Sequence, residues 1–410
     1  MRKILSTLAA VLVSAGIAWS AAVPLLPSTS QFNEPNQIVA TLNYLITQIN
    51  TAITSGSVGS IQTPRNFVDN GGFIVQQRGT GSVTCATTSA PTTTAYGPDR
   101  WSCDANVASG AGNMQIVTSS PTLPLGATAE VKLWRASGIL TQPVCMWQAI
   151  PTAEATTLQG QQVVLSANLQ AMASLSADNG NVATLVVLTG TGTDQGFLGT
   201  SWTASPAITP AWTNIATTLS SNVTITSSWA RYQATAVIPV ATTEIAVGVC
   251  FTPTAAAVAG ATDGLVVSNV QLEQGSVAGV FENRKIQDET ARAERYFYAI
   301  NEPAGASGVG MSGNAVTTTT CNTNLTFPVT MRAAPTFTAL GTALSSSTWK
   351  VNYAATSTTL ATTFYVTTTA NTPYSAFGTW TVSSAALVAG GSCFPVGAGG
   401  GSILSWSADL

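Results

Sequence analysis

The chain has 410 residues, of which 45% are hydrophobic and only 8% charged, with 14 Lys and Arg against 17 Asp and Glu for a formal charge of −3. It contains no His, which removes a Ser-His-Asp triad, a Cys-His pair and a His-ligated zinc. No basic run is present, which argues against nucleic acid as a partner, and a composition this apolar and weakly charged does not suit disorder.

The chain opens MRKILSTLAAVLVSAGIAWSAA, with Arg2 and Lys3 before an apolar run and small residues at Ser20 to Ala22. That is the pattern of a secretory signal peptide, and the run is short for a membrane span. The alternative for residues 1–32 is an uncleaved hydrophobic anchor that plugs into a partner protein. Residues 33–53 (NEPNQIVATLNYLITQINTAI) read as a helix started by Asn33 and Pro35. Ile38, Leu42, Leu45 and Ile49 are spaced 4, 3, 4, the seam of a short coiled coil, and Val39, Ile46 and Ile53 widen the stripe. Such a face either packs on its own domain or self-associates; self-association is the expectation. The Gly/Ser linker TSGSVGSIQTP closes this 33–64 segment.

Residues 65–281 carry short strand patterns: VKLWRA at 131–136, GQQVVLSANLQA at 160–171, ATLVVLT at 183–189, ARYQATAVIPV at 230–240 and EIAVGVCF at 244–251. Thr and Val are stiff at χ1 and pack well on a pleated surface. Short strands separated by polar turns predict an antiparallel β-sandwich. Trp202 and Trp212 fall in the loop-like GTSWTASPAITPAWT. They either form a stacking platform for sugar rings or fold onto the sandwich. Trp134, Trp147 and Trp229 lie in strand-like segments and are expected in the core.

Residues 282–298 (ENRKIQDETARAERYFY) concentrate charge in one predicted helix, with Asp288 and Arg292 in the favourable i, i+4 order. These charges are expected on a solvated or inter-subunit face. Residues 299–410 are again strand-like, which predicts a second, smaller β-sandwich domain. Tyr374, Phe377 and Trp380 are a second candidate sugar-binding patch. The overall expectation is a mostly β fold with short N-terminal helices, a sandwich, a linking helix and a C-terminal β-rich tip.

The six cysteines Cys85, Cys103, Cys145, Cys250, Cys321 and Cys393 include no CxxC pair, which argues against zinc and thioredoxin-type sites. They suggest three bridges, one pairing being 85–103, 145–250 and 321–393, or else six buried thiols; sequence does not fix connectivity. A glycosidase needs two carboxyl groups flanking one bond, and Asp69, Asp99, Asp104, Glu154, Asp178, Asp194 and Asp263 form no paired motif. An enzymatic role is therefore not expected.

Three stretches together resemble phage and prophage tail-fibre proteins. The first is NFVDNGGFIVQQRGTG at 66–81 with YGPDRW at 96–101. The second is SWARYQATAVIP at 228–239, then VSNVQLEQGSVAGVFENR at 267–284 and AERYFY at 293–298. The third is FPVTMRAAPTFT at 327–338 with WSADL at 406–410. The resemblance implies a carbohydrate-binding-module-like jelly roll over 65–281, a linking helix over 282–298 and a small β-domain over 299–410. It also implies a homotrimer at the virion surface, on tail or capsid. Partners would be other virion proteins through the N-terminus and host surface polysaccharide. The signal-like N-terminus departs from that pattern and keeps a secreted, extracellular adhesin in view; Val280 stands where many relatives place Pro. Within the motifs, Asn70-Gly71-Gly72 signals a turn, Asp99 and Arg100 suit ion pairs, and Trp101 suits the core. Glu273 suits a pair with Arg100 or Arg78, or a place in a structural calcium site; the ion pair is expected. No other cofactor is expected.

Overall fold

The computed structural model describes residues 66–86, 96–105, 112–120, 122–136, 141–175, 180–197, 212–254, 263–302, 311–341, 349–353, 357–366, 371–382, 385–397 and 402–409. The signal-like or anchor segment of residues 1–32, the stripe of Ile38, Leu42, Leu45 and Ile49, and Trp202 lie outside the described residues.

The first unit is an antiparallel sandwich. Its strands are β1 (Val83–Thr84), β2 (Ser102–Ala105), β3 (Gly112–Val117), β4 (Glu130–Arg135), β5 (Val144–Ile150), β6 (Gln162–Ala171), β7 (Val182–Gly190), β8 (Ala216–Thr224), β9 (Ala230–Val237), β10 (Glu244–Phe251) and β11 (Gly264–Gln274). A short helix, α1 (Thr152–Ala155), follows β5. One sheet has six strands in the order β1-β3-β4-β11-β6-β9, the other five in the order β2-β5-β10-β7-β8. Period-2 alternation decides which residues enter the core. Met114 and Ile116, Val131 and Leu133, and Val163, Leu165, Ala167 and Leu169 point inward from one sheet. Val144, Met146 and Ile150, Leu185 and Val187, and Val247, Val249 and Phe251 meet them from the other.

Helix α2 (Ile286–Glu294) leads to the second unit. It is shorter than the helix expected over 282–298, because Phe297 already opens a strand. The remaining strands are β12 (Phe297–Glu302), β13 (Ser312–Ala315), β14 (Thr320–Thr326), β15 (Thr336–Gly341), β16 (Trp349–Tyr353), β17 (Ser357–Val366), β18 (Ser375–Val382), β19 (Ser392–Gly397) and β20 (Ser402–Ser407). Six of them close into a barrel in the order β13-β14-β18-β17-β16-β19, and β12, β20 and β15 form a three-stranded sheet. Trp349 and Trp380 from the barrel share one core cluster with Leu404 and Trp406 from β20. The architecture is mostly β with antiparallel sheets, as the sequence patterns predict.

All six cysteines pair, in the connectivity 85–103, 145–250 and 321–393. Cys85 follows β1 and Cys103 lies in β2, so their bridge joins an edge of one sheet to an edge of the other. Cys145 and Cys250 stand opposite each other on β5 and β10. Cys321 on β14 and Cys393 on β19 are pinned across the intervening β13.

Candidate functional site

A sandwich offers two outer faces, and here they differ in kind. On the five-stranded sheet the outward residues of β5, β10 and the adjoining part of β7 are mostly apolar, while Thr184 on β7 and the exposed Ser220 and Asn222 on β8 are polar. Cys145, Trp147 and Ala149 lie beside Val186 and Leu188, and beside Ala246 and Cys250. Trp147 lies across the neighbouring strand at Gly248, where an added Cβ would stand 2.3 Å from the indole. Phe197 then packs on Trp147 at 5.5 Å and Trp212 on Phe197 at 5.6 Å between ring centroids. Tyr296, from the end of α2, completes the cover. This apolar patch is covered by the loop residues Phe197 and Trp212 and by Tyr296.

One polar group is trapped beside it. Asp104 is fully buried; its Oδ1 accepts the Trp147 indole N–H at 2.9 Å, and its Oδ2 has no hydrogen-bond partner. Burial pushes its carboxyl well above the usual carboxylate range, against a smaller opposing pull from the Trp147 hydrogen bond. A carboxyl raised on folding stabilises at low pH and loses that stability as pH rises from about 4. Asp104→Asn is therefore expected to flatten the fall in Tm between pH 5 and pH 8. Thermal melts at both values check it, and an unchanged fall would place the pH dependence elsewhere.

The outer face of the six-stranded sheet is polar, and register sets its rows. Gln115 lies opposite Lys132, Lys132 opposite Val266, and Val266 opposite Gln170. In the next row Ser268 lies opposite Asn168, and Asn168 opposite Arg231. Ser166 and Gln233 form the third. Asn113 and Trp134 stand above the first. Asn113, Gln115, Lys132, Asn168, Gln170 and Arg231 are half-buried, Gln233 is exposed, and Trp134 is buried at the margin. Each amide side chain offers both donors and an acceptor, which is what vicinal sugar hydroxyls require. The Arg231 guanidinium reaches Ser166 Oγ at 2.7 Å, the Asn269 carbonyl at 3.1 Å and Asn168 Oδ1 at 3.5 Å. The sequence signal for this face is the alternation of amides with apolar residues in GNMQIV, QVVLSANLQA and ARYQATAV. Aromatic loops drew the reading of candidate sugar contacts elsewhere.

Those aromatic candidates divide. Trp212 is buried and its indole N–H donates to the Gln195 carbonyl at 3.0 Å. Trp380 is fully buried inside the barrel and donates to Thr323 Oγ1 at 3.0 Å. Neither presents a ring face, so both are corrected to core positions. The strand period turned Trp380 inward, and Phe197 drew Trp212 onto the sheet. Tyr374 is exposed, and Phe377 is half-buried on the outer wall of the barrel opposite Asn324.

The motifs that carry the tail-fibre resemblance meet at the junction of the two units. Asn66 Oδ1 accepts from the Leu272 N–H at 3.1 Å, and its Nδ2 donates to the Val270 carbonyl at 3.1 Å. Gly71 lies against the β11 bulge, where an added Cβ would stand 2.1 Å from the Val270 carbonyl oxygen. Asn70 and Phe73 take positive φ of 50° and 57°; the first is held by its side chain on Val75 and Asp99, the second by its edge contact with Trp101 at 5.5 Å. Gln77 exchanges hydrogen bonds with the Phe297 carbonyl and the Ala299 N–H at 2.7 and 3.1 Å. Arg78 lies between the rings of Phe297 and Tyr96, at 3.5 and 4.4 Å, and pairs with Asp99 and Asp409. Arg100 stacks on Tyr296 at 3.4 Å and pairs with Asp69.

Three expectations are corrected here. The charges around α2 do not all face solvent: Arg284 holds Glu289 at 2.7 Å, Glu289 accepts the Asn70 N–H, and Arg292 reaches Asp69 at 3.0 Å. The ion pairs of Arg292 are with Asp69 and Glu154 rather than Asp288. Glu273 pairs with neither Arg100 nor Arg78; its Oε1 accepts from Gln271 Nε2 and the Gly279 N–H at 2.8 and 2.7 Å. Among the described residues no three His, Cys, Asp or Glu gather closely enough to hold a metal ion.

No family model matches the sequence, and no curated protein matches it. Among solved structures the chain is similar to the enzymatically active domain of bacteriophage CBA120 tailspike protein 4, with 12% identity over 51% of this chain and 21% of that one, at a TM-score of 0.27. It is similar to TmCBM61 in complex with β-1,4-galactotriose, with 13% identity over 51% of this chain and 99% of that one, at 0.26. It is also similar to the CBM22-1 xylan-binding domain from Paenibacillus barcinonensis, with 10% identity over 48% and 95%, at 0.26. The chain spans about a fifth of the tailspike's length. Scores of this size leave function to be argued from the residues.

Proposed function

We propose that this chain is a fibre or spike protein of a tailed bacteriophage virion that binds host surface glycans and catalyses no reaction on them. The observation that carries the reading is the half-open, amide-lined outer face of the six-stranded sheet, set against the covered apolar patch on β5, β7 and β10 of the other sheet. Neutral donors and acceptors on a rigid sheet suit sugar hydroxyls, and rigid placement keeps the ordering cost of binding low. The tail-fibre-like motifs support the virion assignment, because segments distant in sequence build one junction instead of standing as separate strings. Three disulfides fit a protein that works outside the reducing cytosol. Subunits associate as a homotrimer through Ile38, Leu42, Leu45 and Ile49, and the N-terminus meets other virion proteins. Three weak sites on one trimer gain avidity without further contacts.

Immunogold electron microscopy of the purified particle, with light scattering on the purified protein, tests this reading. Label on tail or capsid and a mass three times that of the chain are expected. The second reading, a secreted glycan-binding adhesin, is favoured by the disulfides together with the signal-like N-terminus. Unlabelled particles, with protein in the medium that begins near residue 22, would replace the first reading with the second.

A further inference from the structure

We infer that the outer face of the six-stranded sheet takes a negatively charged glycan, one whose sugars carry carboxylate or phosphate groups; this rests on the glycan-binding reading of the same face. The chain as a whole is slightly acidic, at −3, so positive charge on this face is local and not background. The two cations there are Lys132 on β4 and Arg231 on β9. Every hydrogen bond that Arg231 makes goes to a neutral oxygen, those of Ser166, Asn168 and Asn269. Neither cation has a carboxylate within ion-pair distance among the described residues. The carboxylates pointing from the same face, Glu130 and Glu273, are each only 3% exposed. Glu273 is occupied by Gln271 and Gly279 and acts on Arg231 only through space; burial pushes the Glu130 carboxyl up, against smaller opposing pulls from Ser120 and Lys132.

What an approaching ligand meets is therefore two cations among neutral amides. β4 and β9 are separated by β11 and β6, so the cations stand about 14 Å apart across the strands. That is the span of an oligosaccharide, not of a single sugar. The half-buried setting strengthens each contact relative to open water. Arg231 suits a planar, two-oxygen carboxylate, and Lys132 acts as a point charge.

The test is a glycan array of matched acidic and neutral oligosaccharides, including carboxyl-reduced partners of the uronic-acid members, probed with the full-length protein. Acidic members are expected to bind at least tenfold better than their neutral partners, and the preference should weaken with salt. Lys132→Gln with Arg231→Gln should reduce acidic binding by roughly 10- to 100-fold. Lys132→Gln alone should give part of that loss; Lys132 makes no structural ion pair, so this variant stays informative if Arg231→Gln fails to fold. Equal binding of neutral partners, or Lys132→Gln binding that matches the unaltered protein, would overturn the charge inference and leave glycan binding standing. No binding to any member would remove the glycan reading itself.

Discussion

Arg78→Ala is expected to destabilise the protein by about 3–5 kcal/mol, the range for removing one partner of a buried ion pair. Its guanidinium lies between the rings of Tyr96 and Phe297. It also serves two carboxylates: Asp99, whose side chain is 0% exposed, and Asp409, at 7%. The substitution leaves both acids buried without their cation and opens a gap between two aromatic rings. Asp99 sharpens the effect. Burial already raises its carboxyl above the usual range, and Arg78 is the largest influence opposing that rise. Without Arg78 the rise grows, so the variant should lose stability more steeply than the unaltered protein as pH increases from about 4. Because Arg78 and Asp99 belong to the sandwich while Phe297 and Asp409 belong to the second unit, one urea transition should separate into two. Fluorescence and circular dichroism followed together check this. A single transition with unchanged midpoint would mean that the units hold together by other contacts.

The second large effect concerns the bridge between Cys145 and Cys250. The two residues are 105 apart in sequence, and closing a loop of about 100 residues restricts the unfolded chain by roughly 4.7 kcal/mol in the chain-entropy account. They face each other in the ladder of β5 and β10. Replacing both with Ala is expected to cost about that much, read from urea midpoints at constant slope. The bridge between Cys85 and Cys103, with a separation of 18, closes a much shorter loop, for which the same account gives about 3 kcal/mol. If its removal costs as much as removal of the longer bridge, loop closure is not the source, and the joining of two sheet edges by Cys85 and Cys103 would carry the difference.

The junction and the sheet face divide the work of the molecule in physical terms. The junction ties Asp69, Arg78, Asp99, Arg100, Arg284, Glu289, Arg292 and Asp409 into intramolecular pairs, leaving strongly positioned but unavailable groups. The six-stranded face keeps neutral amides and two cations with no carboxylate at ion-pair distance among the described residues. A surface that recognises ligand must leave polar groups within reach of solvent before the ligand arrives; the half-buried amides of the face do so, whereas the junction's charged groups are largely buried.

The sequence by itself determined the β class, because period-2 alternation in segments such as ARYQATAVIPV decides burial before any partner strand is known. It determined the sandwich followed by a helix and a second β-unit, and it put Trp101 in the core; Trp147, also expected there, is buried on the outer side of the five-stranded sheet, and Trp229 is only half-buried. It offered the cysteine pairing as one connectivity among several. The rest was decided by tertiary structure, since it depends on which distant segments become neighbours. The loop sequence leaves open whether Trp212 stacks on a sugar or folds onto the sandwich; the packing of Phe197 on Trp147 draws it onto the sheet. The charges around α2 are expected from sequence on a solvated or inter-subunit face, because nothing local shows that Asp69 and Asn70, more than two hundred residues earlier, come to lie beside them. The amide rows could not be read as a site from any one strand. Each strand contributes one or two outward residues, and only the order β3-β4-β11-β6-β9 within the sheet, set by long-range pairing, lays Gln115, Lys132, Gln170, Asn168 and Arg231 side by side.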